Sequence, residues 1–298
     1  MNEFSSFPNS RASVELFPSA LVCSPDRARP HPVRLDMPDP LSNRRRKAIA
    51  NLTRRRDRRR EDQTLIESRR ALDAAIEADA PLVDCVVTET ALNDPEVQSL
   101  LDRLSVPVYT TDADTLPTLT DVPSPQGIVA TVERRLVPPD ALPEQLEADA
   151  TLLLLDGVQD PGNVGTLLRT AAWFGADVVA AGPGTAGLYG PKVMRAAAGS
   201  HWALQLTRLE APGPLLDRLR RAGWGLYGAD LQGVQADAWT PDRPSALVLG
   251  SEAHGLSPAV LDRLDTPVSI PGAPHRPAAE SLNVAVAGGI LVYEWLGT

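Results

Sequence analysis

The stretch DPGNVGTLLRTAAWFGAD, residues 160–177, decides the fold. It opens as a loop, with Pro161 and Gly162 back to back. It then turns helical, because Leu167, Leu168, Ala171, Ala172 and Phe174 recur at near-helical spacing. The run before it, TLLLLDGV, is short and apolar, which predicts a strand buried on both faces. Strand, glycine-rich turn and helix in that order offer backbone N–H groups to a ligand. The turn lacks the pattern of a phosphate-binding loop, however, and Arg169 lies on the helix among apolar neighbours, so that arginine needs a purpose of its own.

Downstream the alternation continues. DVVAAG, ALQL, GWGLYGAD, SALVLGS and PVSIPG read as strands with helices between them, and ESLNVAVAGGILVYEWLG closes the chain as a helix. Short apolar strands joined by helical crossovers predict an α/β fold with a mostly parallel sheet over residues 151–298. Upstream, residues 40–136 alternate more weakly. NRRRKAIANLTRRRDRRRED reads as one helix, TLIESRRALDAAIEADA as a strand running into a helix, LVDCVVTE, PVYTTD and GIVATVERR as strands, and DPEVQSLLDRLS as a helix. This predicts a second, smaller α/β domain. Residues 137–150 read as a proline-stiffened linker and 1–39 as a disordered tail rich in Ser, Pro and Arg, with Met37 an alternative start.

Charge is uneven. Residues 44–60, RRRKAIANLTRRRDRRR, hold ten basic side chains and one acid, a local +9 against a whole-chain −9, which leaves −18 on the rest. A basic arm on an acidic body suits a phosphate backbone and reads no sequence by itself, so Arg44, Arg45, Arg46, Arg54, Arg55 and Arg58 are the candidate nucleic-acid contacts. Two cysteines, Cys23 and Cys85, exclude a disulfide framework and a multi-cysteine zinc site, and the four histidines show no metal-ligand spacing. No metal is expected. With no apolar run near the roughly 20 residues of a membrane span and no basic-then-apolar leader, a cytoplasmic protein is expected.

Three polar loops fall at strand ends, where ligands of open parallel sheets gather. They are DGVQDPGNVGTLLRTA with Asn163 and Arg169, LVLGSEAHGLS with Gly250 and Glu252, and SIPGAPHRPAAESLNVAVAGG with Ser281 and Asn283. Singly each has a plain reading: Asn163 or Ser281 as a helix cap, Glu252 as a solvent-facing turn residue.

Taken in order, the three loops resemble the signature motifs of the SpoU (TrmH-type) RNA ribose methyltransferases of the SPOUT class. N-x-G-x-x-x-R-T-A is complete from Asn163 to Ala171, G-x-E-x-x-G-L from Gly250 to Leu256, and I-P followed by S-L-N-V is present at Ile270–Pro271 and Ser281–Val284. YGPKVMRAAAGS resembles the segment between the first two motifs, and LIESRRALDAAI with SPQGIVATV resembles the ribosomal-protein-like substrate-binding domain often fused ahead of this catalytic domain. The resemblance implies a C-terminal trefoil knot, which general topology rules argue against. It also implies S-adenosylmethionine held in loops that include Gly250, Ile270 and Leu282, and a homodimer in which the motif-one arginine meets the methyl donor of the partner subunit. Catalysis would fall to Arg169, with Asn163, Ser281 and Asn283 binding ribose or ordering the loops and Glu252 orienting the second loop or Arg169. The front domain favours ribosomal RNA, most naturally 23S, as substrate, with transfer RNA and a catalytically silent knotted RNA-binding protein as alternatives.

The sequence departs from the family pattern in four places. Gly272 stands where methionine is usual, a short insertion around PHRP (274–277, with His275) precedes Ser281, Ala197 replaces a common Ser or Thr, and Ser68 replaces a usual glycine. A rival reading, a dinucleotide-binding oxidoreductase, rests on GPGTAG at 182–187. There the helix is postponed to Pro191 and no acidic residue follows at the needed spacing.

Overall fold

The computed structural model describes residues 38–122, 124–142, 146–273 and 281–297. The expected tail up to residue 37, the alternative start at Met37 and the insertion at His275 lie outside the described residues.

The front part runs β1 (Asp39–Pro40), α1 (Asn43–Asn51), α2 (Arg55–Glu61), β2 (Gln63–Ile66), α3 (Arg69–Glu77), β3 (Leu82–Thr88), α4 (Pro95–Leu101), β4 (Val108–Thr111) and β5 (Ile128–Glu133). Its strands form one mixed sheet, ordered β1-β4-β3-β5-β2. Residue 39, expected in the tail, belongs instead to β1, paired parallel with β4. The arginine-rich stretch expected as one helix is two. Leu52 is only 1% exposed, and turning the chain after Asn51 is what lets it enter the core beside Ile49. The broken end is capped from below, because the Arg58 guanidinium donates to the carbonyl oxygens of Leu52 at 2.8 Å and Thr53 at 2.7 Å.

The second part runs β6 (Thr151–Asp156), α5 (Pro161–Trp173), β7 (Val178–Ala181), α6 (Pro191–Ala197), β8 (Gln205–Arg208), α7 (Pro212–Arg221), β9 (Gly225–Gln235), β10 (Ser245–Gly250), α8 (Pro258–Leu261), β11 (Thr266–Ser269) and α9 (Val284–Leu296). Its six strands are ordered β11-β9-β10-β6-β7-β8, and every pair is parallel. The α/β class read from the sequence is therefore what folds. The core strand β6 is buried along its whole length, as a strand covered by helices on both faces must be. Helix α5 starts at Pro161, so the Pro-Gly pair is its first turn rather than the end of a loop. Asp160 is the N-cap, accepting from the Asn163 N–H at 2.9 Å, and proline at the first helical position costs no hydrogen bond.

Of the expected linker 137–150, the described residues 137–142 are not a free spacer. Val137 donates its N–H to the Leu206 carbonyl at 2.8 Å, Thr207 Oγ1 donates to the Val137 carbonyl at 2.7 Å, and Leu142 is fully buried under the second sheet. The apolar residues between the prolines have a surface to cover, which proline content alone does not reveal.

The two parts share a packed seam. Thr64 Oγ1 donates to the Tyr189 carbonyl at 2.8 Å, Tyr189 Oη donates to the Arg135 carbonyl at 2.8 Å, and Arg195 of α6 is ion-paired with the buried Glu67. Glu67 also accepts from the Asp121 N–H at 2.7 Å. Ser68, the departure from glycine, caps α3 by accepting from the Ala71 N–H at 3.2 Å.

Candidate active site

The carboxyl ends of β6, β10 and β11 bring the three motif loops to one edge of the sheet, where side-chain amides join them. Asn163, in the first turn of α5, donates Nδ2–H to Glu252 Oε1 at 2.9 Å and accepts at Oδ1 from Asn283 Nδ2–H at 3.1 Å. Asn283 in turn caps α9, its Oδ1 accepting from the N–H groups of Ala285 at 2.9 Å and Val286 at 3.3 Å. The relay Asn283–Asn163–Glu252 thus locks motif three to motif one and motif one to motif two. It gives each residue a role its plain reading lacked. Asn163 is not the cap of α5, and Ser281 is not the cap of α9.

Gly250 ends β10 where the backbone doubles back on itself. Ser251 and Gly255 exchange hydrogen bonds at 2.9 Å, and a Cβ on Gly250 would lie 2.5 Å from the Leu256 nitrogen. The loop is held down by Asp156, the last residue of β6, which accepts from the Ser257 N–H at 2.7 Å. Glu252 makes no hydrogen bond to Arg169; its partners are Asn163 and, at 3.5 Å, the Gln159 N–H.

Beside this relay lies a cleft of about 440 Å³ between the middle of β9, the end of β11 and the start of α9. Ile270, Ser281 and Leu282 line it; Gly250 does not. Sequence reasoning missed Asp230, Leu231 and Leu291, which also line it. The signal for Asp230 lay in the GAD that ends the strand read as GWGLYGAD, but β9 runs on to Gln235, so Asp230 looks like mid-strand rather than a rim. The volume is within the range of small-molecule sites, and the wall is mostly apolar with a few polar groups, Asp230 and Ser281 among them. An apolar wall with one carboxylate suits a cationic, partly apolar ligand the size of a nucleoside.

Arg169 is exposed on α5 and, among the described residues, has no ion pair or hydrogen bond from its side chain. It is not among apolar neighbours; it is on the outward face with Thr166 and Trp173, the latter 83% exposed. Next to this face α9 presents Val286, 53% exposed, Ile290 and Tyr293, 50% exposed, and Phe174 packs edge-on against Tyr293 at 5.9 Å.

The arginines of the basic arm divide. Arg44, Arg46, Arg54 and Arg55 are exposed. Arg45 is not available: it is ion-paired with Asp84 and donates to Thr131 Oγ1 at 3.0 Å. Arg58 commits one guanidinium nitrogen to the α1 cap described above. Arg45, spent on buried partners of its own chain, is a strut rather than a free phosphate contact, whereas Arg58 keeps its other guanidinium nitrogens uncommitted among the described residues.

The GPGTAG match is a structural turn. Thr185 Oγ1 donates to the Leu155 carbonyl at 2.7 Å and accepts from the Gly157 N–H at 3.0 Å, pinning the segment beneath the end of β6, and no helix opens until Pro191. Burial pushes the Cys85 thiol well above its ordinary range, so it is no nucleophile. Among the described residues no group of three metal-ligating side chains converges, and no helix is long and apolar enough to cross a membrane.

Three cross-linked polar loops on the carboxyl edge of a parallel α/β sheet, beside a nucleoside-sized cleft, define an α/β protein with a small-molecule site at that edge. Comparison with known proteins gives that class its chemistry. Residues 150–293 match the SpoU rRNA Methylase family and residues 43–130 the MRM3-like substrate binding domain. The chain is 33% identical over 245 residues to the 23S rRNA (guanosine(2553)-2'-O)-methyltransferase RlmP of Bacillus subtilis, spanning 82% of this chain and 92% of that one. It is 35% identical over 212 residues to the 23S rRNA (guanosine-2'-O-)-methyltransferase RlmB of Coxiella burnetii, spanning 68% and 82%. The crystal structure of the SpoU methyltransferase AviRb from Streptomyces viridochromogenes, in complex with AdoMet, superposes with a TM-score of 0.76 at 28% identity over 86% of this chain and 98% of that one. The chain belongs to the SpoU rRNA methylase family and is an RNA 2'-O-methyltransferase.

Proposed function

We propose that the protein methylates a ribose 2'-hydroxyl of 23S ribosomal RNA, with S-adenosylmethionine as methyl donor, as a cytoplasmic homodimer. The observation that carries this reading is the Asn283–Asn163–Glu252 relay, which assembles all three motif loops beside a cleft lined by Ile270, Ser281 and Leu282. The ribosomal substrate is supported by relatives named for 23S rRNA that align across both sheets.

S-adenosylmethionine would be held between β9, β11 and α9, where the donor's sulfonium supplies an activated methyl group. Asp230 and Ser281 would receive its charged and polar ends, and Leu282 and Ile270, which line the same cleft, its apolar ones. The chain's own task is alignment. A 2'-hydroxyl is a weak nucleophile, and in-line displacement requires it held on the far side of the methyl with help for the charge developing on oxygen. Arg169 supplies that help. An arginine is effectively always protonated, so its role is to hold the RNA phosphate and stabilise the developing alkoxide rather than to take the proton, which leaves to solvent.

Arg169 does this from the subunit interface. Trp173, Val286, Ile290 and Tyr293 make an exposed apolar face on α5 and α9, larger than scattered surface hydrophobics and next to Arg169. A second copy laid on that face buries it and brings Arg169 to the partner's cleft. The trefoil knot belongs to the same proposal. In its support, the chain returns from edge strand β11 across the sheet so that α9 packs on α5 and β10, with Gly288 against Leu167 and Leu249.

The test is a transfer assay with labelled S-adenosylmethionine and separate pools of ribosomal RNA and transfer RNA, with Arg169→Ala as control. Alkali-resistant 2'-O-methylated dinucleotides from the ribosomal pool are expected. Label in transfer RNA would keep the chemistry and overturn the substrate, and cofactor binding with no label in either pool would favour a silent binder.

A further inference from the structure

At the seam between the two sheets five arginines converge on one recess. Arg55, Arg58 and Arg59 come from α2, Arg134 from just past β5, and Arg208 from the end of β8, with residues 187–190 also lining it. The recess measures about 40 Å³, room for a few water-sized groups or one tetrahedral oxyanion and too little for a base.

No carboxylate lines it. The acids nearby are spoken for: Asp62 holds Arg134 at 2.6 Å, Asp57 holds Arg60 at 3.1 Å, and Glu67 and Asp121 face Arg195. Among the described residues Arg55, Arg59 and Arg208 have no side-chain hydrogen bond or ion pair. Burial, then Arg55 and Arg59, hold the Arg208 guanidinium below its ordinary range. Burial, then Arg134 and Arg55, do the same at Arg58, against a smaller opposing pull from Asp121 and Glu67. Like charges drawn together and partly desolvated are unfavourable unless an anion completes the set.

We propose that this recess seats one backbone phosphate of the RNA substrate and so ties the strand across the seam to the catalytic sheet. The proposal rests on the RNA-modifying reading above and adds the site at which the front part positions RNA. Two features favour an RNA phosphate over a free oxyanion. The recess is continuous with the exposed arginines of α2. Arg208 also ends its strand in register with Ala181 of β7 and, through it, Leu155 of β6, on the carboxyl edge that carries the motif loops. Two strand spacings, about 10 Å, separate β8 from the strand that leads into motif one.

The experiment compares the full chain with Arg208→Ala, Arg208→Lys and the double variant Arg55→Ala/Arg59→Ala. It measures binding to the ribosomal RNA pool across a salt series and, separately, affinity for S-adenosylmethionine. Arg55 and Arg59 are exposed, so the double variant reports even if Arg208→Ala fails to fold. Each lost guanidinium is expected to lower the slope of log affinity against log salt by about 0.7 to 0.9 and to weaken binding roughly tenfold, with cofactor affinity unchanged. Arg208→Lys should keep the slope and recover only part of the affinity. Unaltered slope and affinity in the double variant and in folded Arg208→Ala would overturn the proposal while leaving the enzyme's function intact. So would inorganic phosphate raising the unfolding midpoint of the unaltered protein but not of Arg208→Ala, with RNA binding the same in both, which would assign the recess to a free oxyanion. An unaltered protein that neither binds nor methylates ribosomal RNA would overturn the functional reading itself, a failure visible without any variant.

Discussion

At the scale of single residues the site, among the described residues, is a set of side-chain amide hydrogen bonds plus one free guanidinium. Arg169 is the free one. Its planar fork suits a phosphate or an alkoxide, and lysine offers only a point charge. Arg169→Ala should therefore lower methyl transfer about 100-fold and Arg169→Lys at least tenfold, with cofactor affinity measured by calorimetry unchanged; near-full turnover in Arg169→Lys would remove the arginine from catalysis. Asn163 is the joint of the relay, donating to Glu252 and accepting from Asn283. Asn163→Asp sets a carboxylate against Glu252 where a donor stood, so turnover should fall, and adding Glu252→Gln should restore part of it because glutamine returns a donor. A double-mutant cycle is expected to show a coupling of about 1–2 kcal/mol; additive losses would mean the two side chains act separately. The sequence made these residue types legible, one per loop. It could not show that they bond to one another, because the partners lie 89 and 120 positions apart and meet only through the parallel sheet.

At the scale of elements two glycines set how closely backbones approach. Gly165 on α5 faces α6, where a Cβ would lie 2.8 Å from the Val193 carbonyl and closer still to Ala196. Gly165→Ala must push the two helices apart, and overpacking of this kind costs about 1–3 kcal/mol, to be read from the denaturation midpoint. Gly250 is different, because the atoms a Cβ would meet belong to the motif-two loop itself, with the Leu256 nitrogen at 2.5 Å. Gly250→Ala should displace that loop, break the Glu252–Asn163 bond and lower methyl transfer more than cofactor affinity, and unchanged transfer in the folded variant would make Gly250 a purely structural residue. Element type was legible wherever apolar spacing was strong, as in β6, α5 and α9. It failed where side-chain chemistry hid the period. In the arginine-rich run almost every position is polar, so the break after α1 shows only once Leu52 is seen buried and Arg58 is seen capping it. The Pro-Gly pair at 161–162 looked like a loop, although proline after an aspartate N-cap is an ordinary helix start.

At the scale of the whole molecule the least legible features are those that join its parts: the packed segment after β5, the Arg195–Glu67 pair and the Tyr189 contacts with Thr64 and Arg135, all built from residues distant in sequence. Assembly follows from the exposed face of α5 and α9. If a second copy covers it, Trp173→Glu or Tyr293→Glu should shift the sedimentation of the protein to that of a monomer and lower transfer with it, whereas unchanged sedimentation would free that face from assembly. The seam itself carries a titratable group. His201 is fully buried against Tyr189 and Trp202, its Nε2 at 2.8 Å from the Leu188 carbonyl and its Nδ1 without a partner among the described residues. With Nε2 donating to that carbonyl and Nδ1 facing no acceptor, burial favours the neutral ring, because protonation would bury a charged Nδ1–H with nothing to receive it. Burial holds its pKa down at about 4 against an ordinary 6.5. Because the folded pKa is lowered, the unfolded chain binds the extra proton first. The stability this neutral ring contributes is whole above about pH 6.5 and is lost progressively as pH falls towards 4, by about 2 kcal/mol between pH 6.5 and 5. His201→Gln keeps a donor for Leu188 and cannot titrate, so chemical denaturation of this variant should show a flatter pH dependence over that window than the parent, and parallel curves would mean that other groups govern the acid side.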